Sequence, residues 1–269
     1  MIKIQNRLFS SATVICIFIY MDNTQRFSNR VENYVKYRPH YPAVIVTYLQ
    51  ERFGFTSGAI ADVGAGTGIL TKLFLDTGYT VYAVEPNGPM LAKATALLNE
   101  YPGYRAVPGT AENTTLSKSS VDAVMAGQAF HWFNAEKSKA EFTRILKTHG
   151  LVVLVWNERR IHTAFEKEYE VLINKYGKDY VKVKHRNIED RDLATFFAPT
   201  PMEIKEFNNQ QVFDFEGLKG RLLSSSYIPQ QADPGYDEMI AELKELFNKY
   251  QQAGAINITY DTKLYAGRW

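Results

Sequence analysis

The stretch "GAIADVGAGTGILTKLF", residues 58–74, decides the fold. A short apolar run, Ala59 to Val63, ends in three alternate glycines, Gly64, Gly66 and Gly68. Ile69, Leu70, Leu73 and Phe74 then recur at helical spacing, and Gly78 closes the pattern. The order predicts a buried strand, a tight turn and a helix. Glycine in such a turn takes backbone angles that other residues avoid, and it lets a ligand touch the main chain. The helix that follows adds unpaired N–H groups and the positive end of its dipole.

Working outward, the same alternation continues. "AVIVTYLQERF" (43–53) reads as a helix stopped by Gly54. "TVYAVEPN" (80–87) is a second strand, and "GPMLAKATALLNEY" (88–101) a helix with Pro89 in its first turn. "YRAVPG" (104–109), "VDAVMAGQ" (121–128) and "GLVVLVWN" (150–157) supply three more strands, with a helix expected over "AEKSKAEFTRILKTHG" (135–150). Strands alternating with helices imply right-handed βαβ units and a parallel sheet. Beyond residue 160 the character changes. Residues 163–176, 215–225 and 237–252 read as helices, "PMEIKEFNNQQVFDF" (201–215) as a strand pair or one long strand, and "AINITYDTKLYAGR" (255–268) as a final strand.

The chain has 269 residues, 45% hydrophobic and 22% charged, which suits one soluble α/β domain with decorations. Residues 21–269 are expected to form that domain, with a cap contributed by about 160–200 and 208–253. A formal net charge of +2 gives no electrostatic case for nucleic acid or a membrane surface as partner. The single cysteine, Cys16, rules out an internal disulfide framework and a cysteine-rich metal site, and the five histidines lack ligand spacing, so no metal is expected. Residues 1–20 carry Lys3 and Arg7 before an apolar run. They read as an N-terminal extension rather than a targeting segment, because no small-x-small cleavage site follows and the run is too short to span a bilayer. Without an export signal, the expected location is cytoplasmic.

The glycine pattern itself narrows the ligand. G-A-G-T-G has Ile69, not glycine, at the sixth position, so it departs from the dinucleotide spacing. No G-x-x-x-x-G-K-[ST] loop is present at the turn, which excludes a nucleotide triphosphate cradle there. Glu85 ends the second strand, where a carboxylate can accept hydrogen bonds from both ribose hydroxyls of an adenosine.

"ADVGAGTG", "VYAVEPN", "GTAENTTL", "VDAVMAGQAFHWF" and "GLVVLVWNER", in this order, resemble a class I S-adenosylmethionine-dependent methyltransferase. The nearer likeness is to the type 11 group of small-molecule methyltransferases, including those resembling trans-aconitate methyltransferase. The likeness covers about residues 26–160, and the last hundred residues match only in general plan. It implies a Rossmann-like, mostly parallel seven-stranded sheet with an antiparallel last strand and a helical cap. It also implies S-adenosyl-L-methionine as cofactor, a small-molecule acceptor methylated on oxygen, nitrogen or carbon, and a monomer or homodimer.

By the same resemblance, Asp62, Gly64, Ala65, Gly66, Thr67 and Gly68 would line the cofactor's methionine part and ribose, and Glu85 with Pro86 would hold the ribose. Met90 would pack near the adenine, whose edge Thr110, Ala111 and Glu112 would surround. Gln128, Ala129 and Phe130 would leave the fourth strand below the sulfonium, and Tyr34 and Arg38 of the N-terminal arm would close over the cofactor. Prolines in that arm set extended geometry as the plainer reading. His131 is the first candidate for a base, needed only where the acceptor's nucleophile carries a proton. His131, Trp132, Asn157, Arg159, Arg221 and Tyr227 are the candidate acceptor contacts, although core packing and surface charge explain the same residue types. Two rivals stand beside this reading. One is a non-catalytic module that holds an adenosine ligand, and the other is an NAD-dependent oxidoreductase, disfavoured by the sixth position of the turn and by the lack of a hydride-transfer constellation.

Overall fold

The computed structural model describes residues 31–178 and 190–269. The expected extension at 1–20 and residues 179–189 of the expected cap lie outside the described residues. Seven strands form one sheet: β1 (Ala59–Val63), β2 (Thr80–Glu85), β3 (Tyr104–Pro108), β4 (Val121–Gly127), β5 (Leu146–Arg159), β6 (Glu203–Phe213) and β7 (Ile256–Arg268). Their spatial order is β3-β2-β1-β4-β5-β7-β6. The first five pair in parallel, and β7 runs antiparallel between β5 and β6. This is the expected class. The chain winds outward from β1 to β3, then returns to place β4 on the other side of β1. A crevice must therefore open beyond the carboxyl ends of β1 and β4.

The described helices are α1 (Val31–Tyr37), α2 (Val44–Phe53), α3 (Ile69–Leu75), α4 (Gly88–Leu98), α5 (Ala135–Ile145), α6 (Ala164–Tyr176), α7 (Asp190–Phe197), α8 (Phe215–Leu223) and α9 (Tyr236–Tyr250). Successive strand residues point to opposite faces, and both faces are covered. Ile60, Val81, Ala123 and Val153 pack with Leu49 of α2 and Phe74 of α3. Ala61, Val63, Val124 and Val152 face Phe142 of α5 and Phe196 of α7. Burial on both sides is why these strands read as nearly continuous apolar runs rather than as alternating ones. A third cluster joins Leu172 of α6, Leu218 and Leu222 of α8 and Leu243 of α9 to Ile258 and Tyr260 at the start of β7, forming the cap. Its first helix is fixed by a reciprocal cap. Glu166 N–H donates to the Thr163 hydroxyl at 3.1 Å, and Thr163 N–H donates to the Glu166 carboxylate at 3.0 Å.

Three details depart from the sequence reading. The helix expected to reach Gly150 stops at Ile145, and Leu146 already pairs with Val121. Strand pairing of a buried residue wins over local helical periodicity there. The N-terminal arm is not extended throughout: Val31–Tyr37 is helical, and the helix ends at the residue before Arg38-Pro39, where proline restricts its predecessor. Residues 203–213 form one long strand paired with β7 along its length, so the sheet takes in the segment 208–213. Among the described residues, no helix is long and apolar enough to cross a membrane.

Candidate active site

The glycine turn is held against the end of β2. Gly64 and Ala65 both donate backbone N–H bonds to the Val84 carbonyl, at 2.9 and 3.1 Å. Gly64 has φ 71°, and a side chain there would place Cβ 2.6 Å from the Ala129 methyl. Gly68 has φ 84°, and its Cβ would lie 2.5 Å from Leu98 of α4. Left-handed backbone and lack of room together demand glycine at both positions. Gly66 also has positive φ, but a Cβ there would meet only the Met90 methyl, at 3.4 Å. Its N–H donates to Glu85 Oε2 at 2.8 Å.

Glu85 is thereby the pivot of the turn. Its other oxygen accepts from Asn87 N–H at 2.8 Å, and the Asn87 side chain caps α4 by accepting from Met90 N–H at 3.0 Å. Burial pushes the Glu85 carboxyl up, and the Asn87 and Gly66 amides pull the other way. Each carboxylate oxygen keeps acceptor capacity toward the cleft.

Two cavities meet at this turn. The larger is lined by Tyr34, Gly64, Gly66, Glu85, Pro86, Met90, Thr110, Ala111, Glu112, Gln128, Ala129 and Trp132, together with Asn87, Gly127 and Phe133. The smaller is lined by Tyr34, Arg38, Asp62, Gly64, Ala65 and Gln128, with Pro39, Tyr41, Ile69, Leu70 and Gly127. Tyr34, Gly64, Gly127 and Gln128 border both.

The smaller cavity holds opposite charges. Asp62 is 1% exposed; its Oδ2 accepts from the Thr71 hydroxyl at 2.5 Å, and its buried Oδ1 has no hydrogen-bond partner among the described residues. Burial raises this carboxyl to about 7, against the Thr71 hydrogen bonds. Arg38 donates from Nη2 to the Ser224 carbonyl at 2.9 Å and lies 4.9 Å from the Tyr34 ring centroid, while its buried Nε has no hydrogen-bond partner among the described residues. Burial, followed by the nearby charge of Arg221, lowers the Arg38 guanidinium from its ordinary value. Gln128 sits between the cavities with φ 54°, an uncommon angle for a residue with a side chain. Its amide Nε2 donates to the Asn157 carbonyl at 3.3 Å, and its buried Oε1 has no hydrogen-bond partner among the described residues.

The remaining candidates sit elsewhere. Thr67 is buried behind the turn, and Gly68 packs on α4. Phe130 points into the core, 4.6 Å from Phe196 between ring centroids. His131 packs on Trp132 at 4.6 Å and borders neither cavity. Asn157 is buried as an anchor. Its Oδ1 accepts from Thr262 at 2.5 Å, and its Nδ2 reaches the Pro39 and His40 carbonyls at 3.4 Å, tying the N-terminal arm to the sheet. Arg159 pairs with Glu170 of α6. Arg221 donates to the Tyr260 hydroxyl at 3.2 Å. Arg159, Arg221 and Tyr227 border neither cavity. The sequence reading passed over Asn87, although asparagine ahead of Pro89 is a helix-start signal, and Gly127, although glycine in a strand marks close approach. Tyr41 carried no local signal at all.

Comparison with known proteins meets this geometry. Residues 61–154, from β1 into β5, match the family described as "Methyltransferase domain". A methyltransferase-like protein of Schizosaccharomyces pombe, itself uncharacterized, is 31% identical over 248 residues, covering 89% of this chain and 94% of its own length. The chain belongs to the class I S-adenosylmethionine-dependent methyltransferases. An uncharacterized methyltransferase of Mycobacterium tuberculosis is 35% identical over 156 residues, covering 58% of this chain. That match spans only 62% of the mycobacterial protein's length. A solved structure assigned as a type II methyltransferase, from Anaeromyxobacter dehalogenans, superposes with a TM-score of 0.67 at 21% identity, covering 86% of this chain and 97% of its own. The likeness is one of fold.

Proposed function

We propose that this chain moves the sulfonium methyl of S-adenosylmethionine to a small-molecule acceptor. One observation carries the reading. The smaller cavity presents an acid and a guanidinium, each with a buried atom that has no hydrogen-bond partner among the described residues, Asp62 Oδ1 and Arg38 Nε. An α-amino acid zwitterion satisfies both: its ammonium faces Asp62, and its carboxylate faces Arg38. The adjoining cavity ends at Glu85, whose spare lone pairs suit a ribose diol, and its walls include Met90, Ala111 and Phe133, which suit an adenine. A nicotinamide dinucleotide offers no such zwitterion, and its pyrophosphate would meet Asp62 as a like charge.

When bound, S-adenosylmethionine supplies an electrophilic methyl and a neutral thioether leaving group. The chain's own residues bind, orient and exclude water. The glycine turn keeps side chains out of the path, Glu85 would hold the ribose, and Asp62 and Arg38 would hold the amino-acid end. Gln128, Gly127 and Tyr34 border both cavities, so they would flank the acceptor's approach. Because His131 lies outside both cavities, an acceptor that carries no proton on its nucleophile suits this site best, and the leaving group needs no acid. An organic acid of the trans-aconitate kind is one such acceptor.

The test is transfer of labelled methyl from S-adenosylmethionine to a panel of small acids, phenols and amines. Label in a small product, lost in Glu85→Ala, supports the enzyme. Cofactor binding with no transfer to any class would favour the non-catalytic module.

A further inference from the structure

Gly127 is the last residue of β4, and its φ is not in the left-handed region that glycine alone favours. Its lack of a side chain answers a different need. A Cβ at Gly127 would lie 2.6 Å from the Tyr41 hydroxyl oxygen and 3.1 Å from the carbon that bears it. Glycine weakens a strand relative to alanine, so room for this hydroxyl offsets a real cost.

Tyr41 is 8% exposed, and its ring packs in the core cluster with Ile45 and Leu70. Its hydroxyl faces the smaller cavity and has no hydrogen bond among the described residues. A buried tyrosine hydroxyl normally finds a partner. The titratable and charged groups facing it are Tyr34, Asp62 and Arg38. Burial, with Tyr34 and Asp62 acting in the same direction, pushes its ionisation well above the ordinary tyrosine range. The hydroxyl therefore keeps its proton and serves as a donor. The Arg38 guanidinium borders the same cavity with an unmet N–H. With Asp62 set against the ammonium, the two donors on this cavity are left for an anionic oxygen pair that takes both. The backbone that presents Tyr41 is fixed from behind by Asn157, through the Pro39 and His40 carbonyls.

We infer that the Tyr41 hydroxyl donates a hydrogen bond to the α-carboxylate of the bound cofactor, beside Arg38, and that Gly127 is glycine to admit it. This rests on the S-adenosylmethionine reading of the site. Tyr41 would then select for an intact amino-acid end, separating S-adenosylmethionine from its decarboxylated form.

The experiment is calorimetric titration of wild type, Tyr41→Phe and Gly127→Ala with S-adenosylmethionine and with decarboxylated S-adenosylmethionine. Tyr41→Phe keeps the ring and removes only the donor. It should weaken S-adenosylmethionine about tenfold, as for loss of a hydrogen bond to a charged group, and leave the decarboxylated form within about twofold. Gly127→Ala should show the same selective loss, and the double variant should lose no more than either single one. Equal loss for both ligands, or no loss for either, overturns the inference while wild-type binding still upholds the site. Additive losses overturn the link to Gly127. Failure of wild type to bind S-adenosylmethionine would instead remove the reading on which the inference stands.

Discussion

Replacing Asp62 with asparagine should flatten the pH dependence of cofactor binding. The carboxyl is 1% exposed, with Oδ2 on the Thr71 hydroxyl and Oδ1 unmet. Burial lifts it from 3.8 to about 7. An ammonium opposite Oδ1 requires the ionised form. Affinity then follows the ionised fraction of the free protein, about a tenth at pH 6 and a half at pH 7, so binding tightens about fivefold over that interval, or ~1 kcal/mol. The window stops at pH 7 because the cofactor's own α-amino group begins to lose its proton near 8. The asparagine variant has nothing to titrate here; its affinity should be constant across the interval and about tenfold weaker at pH 7. The same group makes a prediction for the free protein. Its folded value lies above its unfolded one, so the stabilisation it gives as a neutral acid is complete below about 3.8 and is lost as pH rises through about 7. Asparagine should remove that decline. Calorimetry at pH 6.0, 6.5 and 7.0, roughly the span of the titration, reads the effect. A wild-type Kd that does not change over the interval, or a slope that persists in Asp62→Asn, would refute the role given to Oδ1.

Three further outcomes follow from the same structure. Glu85→Ala removes the ribose acceptor and frees Gly66 N–H, and should weaken S-adenosylmethionine by about a hundredfold in a binding titration, as for two hydrogen bonds to a charged group. Gly64→Ala combines left-handed strain with the 2.6 Å approach to Ala129, and should cost about 2–4 kcal/mol in denaturant unfolding. Glu141 accepts from the Thr114 N–H and hydroxyl at 2.8 and 2.5 Å and pairs with Arg144, which with the Thr114 bonds holds its carboxyl down at about 2. Its contribution is present above the ordinary carboxylate range and is lost as pH falls toward 2. Glu141→Gln should therefore cost about 1–3 kcal/mol at pH 7, and the deficit should shrink in urea melts at progressively lower pH.

The glycine turn and the carboxylate at the end of β2 were legible because both are local. Three alternate glycines after an apolar run, then an acid after the next one, need no knowledge of distant contacts. Thr110, Ala111 and Glu112, expected through the family likeness to surround an adenine edge, line the larger cavity. What was not legible depended on packing between segments far apart in sequence. Nothing around Tyr41 announces that its hydroxyl will meet Gly127 across the sheet. Asn157 looked like a strand-end contact for an acceptor, yet its amide is consumed by Thr262 and the arm backbone. Phe130 and His131 follow the strand that opens on the crevice, but a short 3₁₀ turn at Phe130–Trp132 sends Phe130 into the core and leaves only Trp132 on the cavity. The early end of α5 has a similar origin. Its helical pattern continues to Gly150, and only the pairing of Leu146 with Val121 ends it.

The most direct test of the site is calorimetric titration of the wild-type chain with S-adenosylmethionine and, separately, with NAD. Saturable binding of S-adenosylmethionine at one site per chain, and none of NAD, is the predicted result. Folded protein that takes NAD, or that takes up no S-adenosylmethionine, would contradict the assignment of Asp62, Arg38 and Glu85 to a sulfonium cofactor.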